Sequence, residues 1–448
     1  MTTGDNRLPT GAALNVGQSA SANLGTFDLN GFNQQVAGLN SVSGINTTSV
    51  KNTVTNSVAS PVTLTLSGSG VYAYGGGSTN NPGVIVGQIN LVKGGSGTQT
   101  LGDTNTYTGN TTISGGILSL GAVGSIATSP KIILAGGATF DVSGLLNTNA
   151  VANFTNIFLL GSGQTLSNNT STAALNGSAN TGSGTVSLTY ASGTPSLTVT
   201  NGTLTLSAST AFKVNNTGAT LTHGSYKIIS KATTGNAGLV AGTAPSVTVG
   251  GNGVTSGATP SLSINSSELN LVVPNQAPTI NNIVTNNVTS GFMWKTAITN
   301  LATAAGWSDP DGDAVSLSSV ANSANGVSVT KDSIYVYYNA PVTNEDHFDY
   351  TIGDGNLTVN GTVYLEAIAS NGYFTQNYTT PPLVNGNGSV TLNLASIPDS
   401  TNIVQVATNL TPPINWISIS TNVAGTNGLW QFTDTNPPST AFYRTAKP

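Results

Sequence analysis

The densest chemistry in the chain is Asp309-Pro310-Asp311-Gly312-Asp313, three carboxylates in five residues. Carboxylates held that close repel one another unless a cation lies among them. The donors are all oxygen, and calcium is the hard cation that accepts oxygen ligands in irregular geometry. Asp309, Asp311 and Asp313 are therefore the candidate core ligands of a calcium site. A plain Asp-Gly turn kept soluble by its charges has the same composition.

Other reactive side chains are sparse. Glu345-Asp346-His347 clusters charge and reads as a solvated loop leading into a strand at Phe348; the only other histidine is His223. Asp28 and Asp141 occupy the same place in two related hexapeptides, Thr26-Phe27-Asp28-Leu29-Asn30-Gly31 and Thr139-Phe140-Asp141-Val142-Ser143-Gly144. Glycoside hydrolysis needs two carboxyls about 5–9.5 Å apart. Stacked strands are about 4.8 Å apart, and this pair is expected some five coils apart, so it reads as a repeated corner hydrogen bond. There is no Cys, hence no disulfide and no thiolate metal site. No G-x-S-x-G or phosphate-binding glycine loop occurs, and an active site is not expected. Tyr72, Tyr74 and Tyr107 read as core or corner aromatics.

Charge excludes further classes. The net charge is −5, and the only arginines are Arg7 and Arg444, so no basic patch can neutralise a run of phosphates and nucleic-acid binding is not expected. No apolar run approaches the roughly 20 residues of a membrane-spanning helix. Residues 1–17 lack the basic start and apolar core of a secretory signal, so an exported protein would be seen here as a mature form or a piece of a longer one.

The elements that must position these residues are strands. Only 6% of residues are charged, there are 54 Gly, and Val, Leu and Ile alternate with Thr, Ser and Asn. Alternation of that period is the pattern of half-buried strands, and the glycines mark corners. Internal echoes recur: Thr63-Leu64-Thr65-Leu66-Ser67 returns as Thr203-Leu204-Thr205-Leu206-Ser207, with Ile117-Leu118-Ser119-Leu120 a weaker relative. Degenerate self-similarity of this kind is how stacked coils read, each burying the same face on its neighbour. At about 20–25 residues per coil, the first 274 residues would hold about a dozen. Leu64, Leu66, Leu118, Leu120, Leu204 and Leu206 are expected to face inward.

The stretch at residues 94–121, with Thr106-Tyr107-Thr108-Gly109, Thr111-Thr112-Ile113, Gly115-Gly116 and Ile117-Leu118-Ser119-Leu120, resembles the autotransporter-associated β-strand repeat of secreted bacterial surface proteins. Leu91-Val92-Lys93-Gly94 is similar to the approach to that motif. The resemblance implies an exported, right-handed parallel β-helix over residues 1–274. A boundary falls at Pro274-Asn275-Gln276-Ala277-Pro278. Five of the 16 acidic residues precede Asp309, whereas eight lie between Asp309 and Asp354, so the composition changes there too. With the Asp cluster and Phe348-Asp349-Tyr350-Thr351-Ile352-Gly353-Asp354-Gly355, residues 275–368 resemble a bacterial cadherin-like or immunoglobulin-like β-sandwich. In cadherin-like repeats such Asp clusters bind calcium near the domain junction, which adds Asn275 and Asp354 to the candidate ligands. Residues 369–448 read as a small third β-module, with strands near 389–395, 402–407, 415–420, 429–433 and 441–445 and a core of Trp416, Trp430, Phe432 and Tyr443. The whole is expected to be all-β and non-enzymatic. Its expected place is the bacterial cell surface or beyond, as a structural or adhesive scaffold contacting cell-surface glycans, proteins or copies of itself. A filament subunit and a carbohydrate-binding or carbohydrate-active protein are the alternatives.

Overall fold

The computed structural model describes residues 3–18, 24–43, 51–76, 82–145, 157–169, 172–191, 193–232, 238–368, 375–377, 382–397, 399–426, 428–446 and 448. The chain divides into two compact units, Met1–Pro274 and Asn275–Pro448.

The first unit is a three-faced parallel coil. Asn52–Thr55, Val62–Leu66 and Val71–Tyr74 run along successive faces, followed by Gly83–Gly87, Ile89–Lys93 and Thr98–Leu101 on the same faces one coil on. Each pairs in parallel with its counterpart, Thr53 opposite Val84, Leu64 opposite Leu91 and Tyr72 opposite Gln99. Two faces are nine-stranded sheets, and the third consists of two four-stranded sheets. Among the described residues each long face holds nine strands, fewer than an even 20–25-residue spacing implies, because coil length varies. Register partners are 20 residues apart at Leu91 and Thr111 but 35 apart at Phe212 and Val247. Leu64, Leu66, Leu118 and Leu120 are fully buried, and Leu204 and Leu206 nearly so.

The internal echoes have a different meaning from the expected one. Thr26–Asp28 pairs within the first four-stranded sheet, whereas Thr139–Asp141 belongs to a nine-stranded face. Val62–Leu66 and Thr203–Leu206 likewise lie on different faces. The repeated words encode a local strand-and-turn form, and that form serves on any face. Asp28 accepts the backbone N–H of Asn30 at 2.9 Å, and Asp141 that of Ser143 at 3.0 Å, so the shared feature is the corner hydrogen bond.

The coil interior is not purely apolar. Gln99 is wholly buried; its Oε1 accepts the Leu39 N–H at 2.8 Å and its Nε2 donates to the Leu39 carbonyl at 3.0 Å. Asp103 accepts the Gly83 N–H at 2.8 Å and pairs with Lys51 at 3.1 Å. Tyr107 is also wholly buried, its hydroxyl 2.7 Å from Thr111 Oγ1, which is 2.8 Å from Ser129 Oγ. Lys93 is 1% exposed, and its ammonium donates to the carbonyls of Gly94, Gly95 and Gly115. Burial lowers its pKa. Glycine is required where side chains cross a corner: a Cβ on Gly38 would stand 2.2 Å from the Tyr72 ring. The last strands break the parallel pattern, since Ser261–Asn265 and Glu268–Val273 form an antiparallel hairpin against Gly224–Lys231.

The second unit begins with a two-sheet sandwich. One sheet orders Val284–Thr289, Thr358–Ile368, Asp346–Gly353 and Ser316–Val320; the other orders Phe292–Ala297, Tyr335–Val342 and Val329–Lys331. Their inner faces meet in one buried cluster in which Trp294 and Phe348 pack with ring centroids 5.7 Å apart. A single helix among the described residues, Ile298–Ala305, buries Leu301 and Ala305 and ends at Gly306, whose φ of 64° suits glycine. Of seven further strands among the described residues, Val390–Ser396, Thr401–Ala407, Ile417–Val423, Leu429–Asp434 and Phe442–Ala446 surround a smaller cluster centred on Val404, Leu392, Leu394 and Trp430, and the short Thr375–Asn377 and Leu383–Val384 pair with Val390–Ser396. Phe432 and Tyr443 pack against it. Trp416, expected in this core, lies instead under the Arg444 guanidinium, 4.3 Å from ring centroid to Cζ.

Two substitutions separate the apolar from the polar contribution to the coil. Leu118→Asp places an unpaired carboxylate where water cannot reach, and is expected to lower urea stability of the coil by about 3–5 kcal/mol. Gln99→Leu keeps the volume but strands the Leu39 N–H and carbonyl, for a smaller loss of about 1–3 kcal/mol. Unfolding followed by circular dichroism checks both, and an unchanged midpoint for Gln99→Leu would mean that the backbone of Leu39 finds other partners.

Candidate metal centre

Register alone delivers the linker to the acidic loop. Thr279–Ile280 pairs antiparallel with Trp307–Ser308, Thr279 facing Ser308 and Ile280 facing Trp307. Trp307 is held by a hydrogen bond of 3.2 Å from its Nε1 to Tyr350 Oη. Continuing that antiparallel register outward brings Gln276 opposite Asp311. The Gln276 N–H donates to Asp311 Oδ2 at 2.6 Å and its side-chain Nε2 to Asp311 Oδ1 at 3.2 Å. Asp311 is 7% exposed, so these bonds replace water that the carboxylate has lost.

The loop is shaped by its first aspartate. Asp309 Oδ1 accepts the N–H of Asp311 at 2.8 Å and of Asp313 at 3.2 Å, and the Asp309 carbonyl accepts that of Gly312 at 3.2 Å. Gly312 has φ of +84°, which a side chain would strain. Carboxylate oxygens of Asp311 and Asp313 lie within 4.8 Å of each other.

Asp354 arrives from a third segment. It follows Gly353, whose register partners are Ser316 and Thr358, so it turns beside the end of the acidic loop. The amides of Leu357 and Asn356 donate to its Oδ1 at 2.7 and 2.6 Å, and Asn275 Nδ2 donates to its Oδ2 at 2.9 Å. The Leu357 amide, then the Asn275 side chain and the Asn356 amide, hold its pKa below the ordinary value. With its amide nitrogen so engaged, Asn275 Oδ1 is buried with no hydrogen-bond partner, and Asp309 Oδ2 is in the same state. Both are acceptors whose hydrogen-bonding capacity the described residues leave unused. The structure thus brings Asp309, Asp311 and Asp313 onto one loop, reaches that loop through Gln276 and joins Asn275 to Asp354. Gln276 was not among the sequence candidates; its place beside Asn275 in the linker, opposite the acidic loop once Thr279 pairs with Ser308, is the signal that finds it.

The second acidic cluster corrects the sequence expectation. Asp346 opens the strand Asp346–Gly353 and is 5% exposed, not solvated. It accepts Tyr338 Oη at 2.7 Å and the amides of His347 at 2.8 Å and Asn325 at 3.1 Å. Burial alone would raise its pKa, but hydrogen bonds from Ser323, Tyr338 and the two amides outweigh it and the value is lowered. The Tyr338 hydroxyl is correspondingly pushed up to about 12, by burial and by Asp346. His347 stacks on Tyr364 at 5.4 Å, and His223 belongs to the first unit.

With this geometry in hand, two stretches of the chain match known families. Residues 275–366 match the bacterial Ig domain. Residues 91–120 match the passenger-associated transport repeat, which on the coil covers the strands from Leu91 to Leu120 and includes Lys93, Tyr107 and Thr111. No curated protein matches the chain. Among solved structures, an endo-fucoidan hydrolase of glycoside hydrolase family 107 is similar at 11% identity over 39% of this chain and 33% of its own length, with a TM-score of 0.17. The match therefore spans about a third of that enzyme, and so low a score carries no argument about this fold.

The carboxylates of the Ig domain set its acid limit. Asp346 and Asp354 have folded-state pKa values below the ordinary 3.8, so the stability they contribute is fully present above that value and is lost as pH falls through the lower folded values. All four tryptophans lie in the second unit, so their fluorescence reports on it alone. Its urea midpoint is expected to be level from about pH 7 to about pH 5 and to fall below about pH 4. In Asp346→Asn the midpoint should start lower and fall less.

Proposed function

We propose that the chain is a surface-associated structural and adhesive protein of a bacterium, acting outside the cell and without catalysis. The observation that carries this is the pairing of a passenger repeat on a parallel coil with a bacterial Ig domain in the following unit. The outward side chains of the coil fit such work. They are mostly Thr, Ser and Asn, and they bond along the stack: Asn40 to Asn15 at 3.0 Å, Asn176 to Asp141 at 2.9 Å and Thr198 to Ser230 at 2.8 Å. Rows fixed in this way offer many equivalent shallow contacts to glycans or proteins on another surface, and shallow contacts gain strength by number. The antiparallel hairpin that closes the last coils speaks for an adhesive unit over a stacked filament, since it interrupts the parallel ladder that stacking would extend.

Calcium belongs to the same proposal. Asp309, Asp311, Asp313 and Asn275 would supply hard oxygen ligands, and Asp354 would orient Asn275 while remaining a candidate ligand itself. Bound there, the ion would tie the linker to the acidic loop and stiffen the start of the Ig domain. Affinity in the extracellular range of about 10⁻⁴–10⁻³ M is expected. Millimolar calcium should then raise the thermal midpoint seen by tryptophan fluorescence, and Asp311→Asn should remove the increase. A trace unchanged by calcium would leave the loop as a turn held by Gln276.

The adhesive role has its own measurement. Beads carrying many copies of the chain should adhere to bacterial or host surfaces far more strongly than the free chain binds them, because the second and later contacts are intramolecular. Equal binding by single and clustered copies would instead indicate one deep site. Turnover of a polysaccharide, lost on mutation of a single Asp, would overturn the non-enzymatic role.

A further inference from the structure

The last module carries an open cleft of about 510 Å³ that neither the coil nor the metal centre uses. Leu392 and Leu394 from one sheet face Leu410, Trp416, Phe442 and Tyr443 from the other side. Phe442 and Leu410 are 37% and 48% exposed, which is unusual for side chains of that size around one opening. Residues 441–445 all line the cleft. Successive residues of a strand point to opposite faces, so a cleft touching every one of them runs along the strand's edge. Phe442–Ala446 is the outer strand of its sheet, after Ile417–Val423 and Thr401–Ala407, and its far edge has no strand partner among the described residues.

Two polar groups of this module keep hydrogen-bonding capacity to spare. The Arg444 guanidinium lies over Trp416, and its Nε donates to Gln405 Oε1 at 2.8 Å, but no carboxylate pairs with it among the described residues. The nearby Asp434 is taken up by Tyr443 Oη at 2.8 Å and the Asn436 N–H at 3.1 Å. Trp430, the register partner of the cleft residue Leu394, has its Nε1 buried with no acceptor. We infer that the cleft takes an extended peptide of a partner protein, added as a further strand on Phe442–Ala446, with an apolar side chain among Leu392, Leu394 and Phe442 and a carboxylate on Arg444. Strand addition supplies affinity through the main chain and specificity through a pocket for alternate side chains. The unpaired strand edge favours a peptide, whose main chain can bond along it, over a saccharide, which has no such ladder to offer. This site is separate from the adhesive faces of the coil, and either can fail without the other.

The test uses the whole chain and three fluorescein-labelled decapeptides of alternating Val and Thr with a central Phe. The first has Glu two residues after the Phe, the second has Gln in its place, and the third repeats the first with alternate amides N-methylated on the edge-facing side. Anisotropy should show binding of the first below about 1 mM and none of the third. Arg444→Gln should weaken the Glu peptide about fivefold, the scale of a partly exposed charge contact, and leave the Gln peptide unchanged. Phe442→Ala, at an exposed position that folding tolerates, should weaken both about tenfold. Circular dichroism of each variant guards against unfolding. The inference is overturned if none of the peptides binds, if N-methylation has no effect, if an oligogalacturonate binds the cleft in place of the peptide, or if sedimentation shows that Phe442→Ala abolishes a dimer of the chain.

Discussion

In the parallel part of the coil, each strand finds its hydrogen-bond partner one turn away in the chain and nowhere nearer. Leu91 needs Leu64 before it and Thr111 after it. No coil is complete alone, and none can shift by one residue without turning its leucines outward and its threonines in. The interior is sealed, so any polar group that enters must be satisfied from within. Gln99 shows how tightly this binds the register. Its amide supplies the donor and acceptor that Leu39 would otherwise receive from a neighbouring strand, across 60 residues of sequence. Asp103 with Lys51, and Tyr107 with Thr111 and Ser129, act in the same way on other faces. These contacts add less stability than the leucines, but they admit one alignment only.

The second unit solves a different problem with the same device. A short antiparallel pairing at Thr279 and Ser308 aligns a linker with an acidic loop, and the next residues outward meet without a further element to hold them. Gln276 then neutralises by hydrogen bonds what charge alone would push apart. Asp354 enters because its strand ends where Ser316 begins. The acidic loop is consequently ordered by backbone donors, while the oxygens left over, on Asp309 and Asn275, face no donor. A site assembled from strand register in this way couples any ion it holds to the linker itself.

Chemistry in this protein is therefore distributed along edges and corners. The coil spends its polar side chains on one another, the Ig domain buries Asp346 under Tyr338, and the last module leaves, among the described residues, one strand edge without a partner. That distribution suits recognition over repeated or extended surfaces, where geometry is supplied by the backbone.

Much of this was legible in the sequence, because composition and period are local. Alternating Thr and Leu at 63–66 and 203–206 can only be half-buried strands, the prolines around Asn275 mark a break between units, and the passenger and Ig-like resemblances rest on short contiguous words. The five strands expected in the last module are present, whereas Thr375–Asn377 and Leu383–Val384 are too short to show a period and went unseen. What the sequence could not assign was which face a word would occupy. Thr26–Asp28 and Thr139–Asp141 share residues but not a sheet, since the length of the intervening corners decides the phase and those corners are too variable to count. Nor could it see that Lys93 is buried or that Asp346 is not solvated, because both depend on donors and acceptors far away in the chain: Gly115 for the one, Asn325 for the other. Local pattern determined that these segments are strands; closure of the coil and sheet register, which fix distant backbone groups against each other, decided which polar side chains are sealed in and which remain for a ligand.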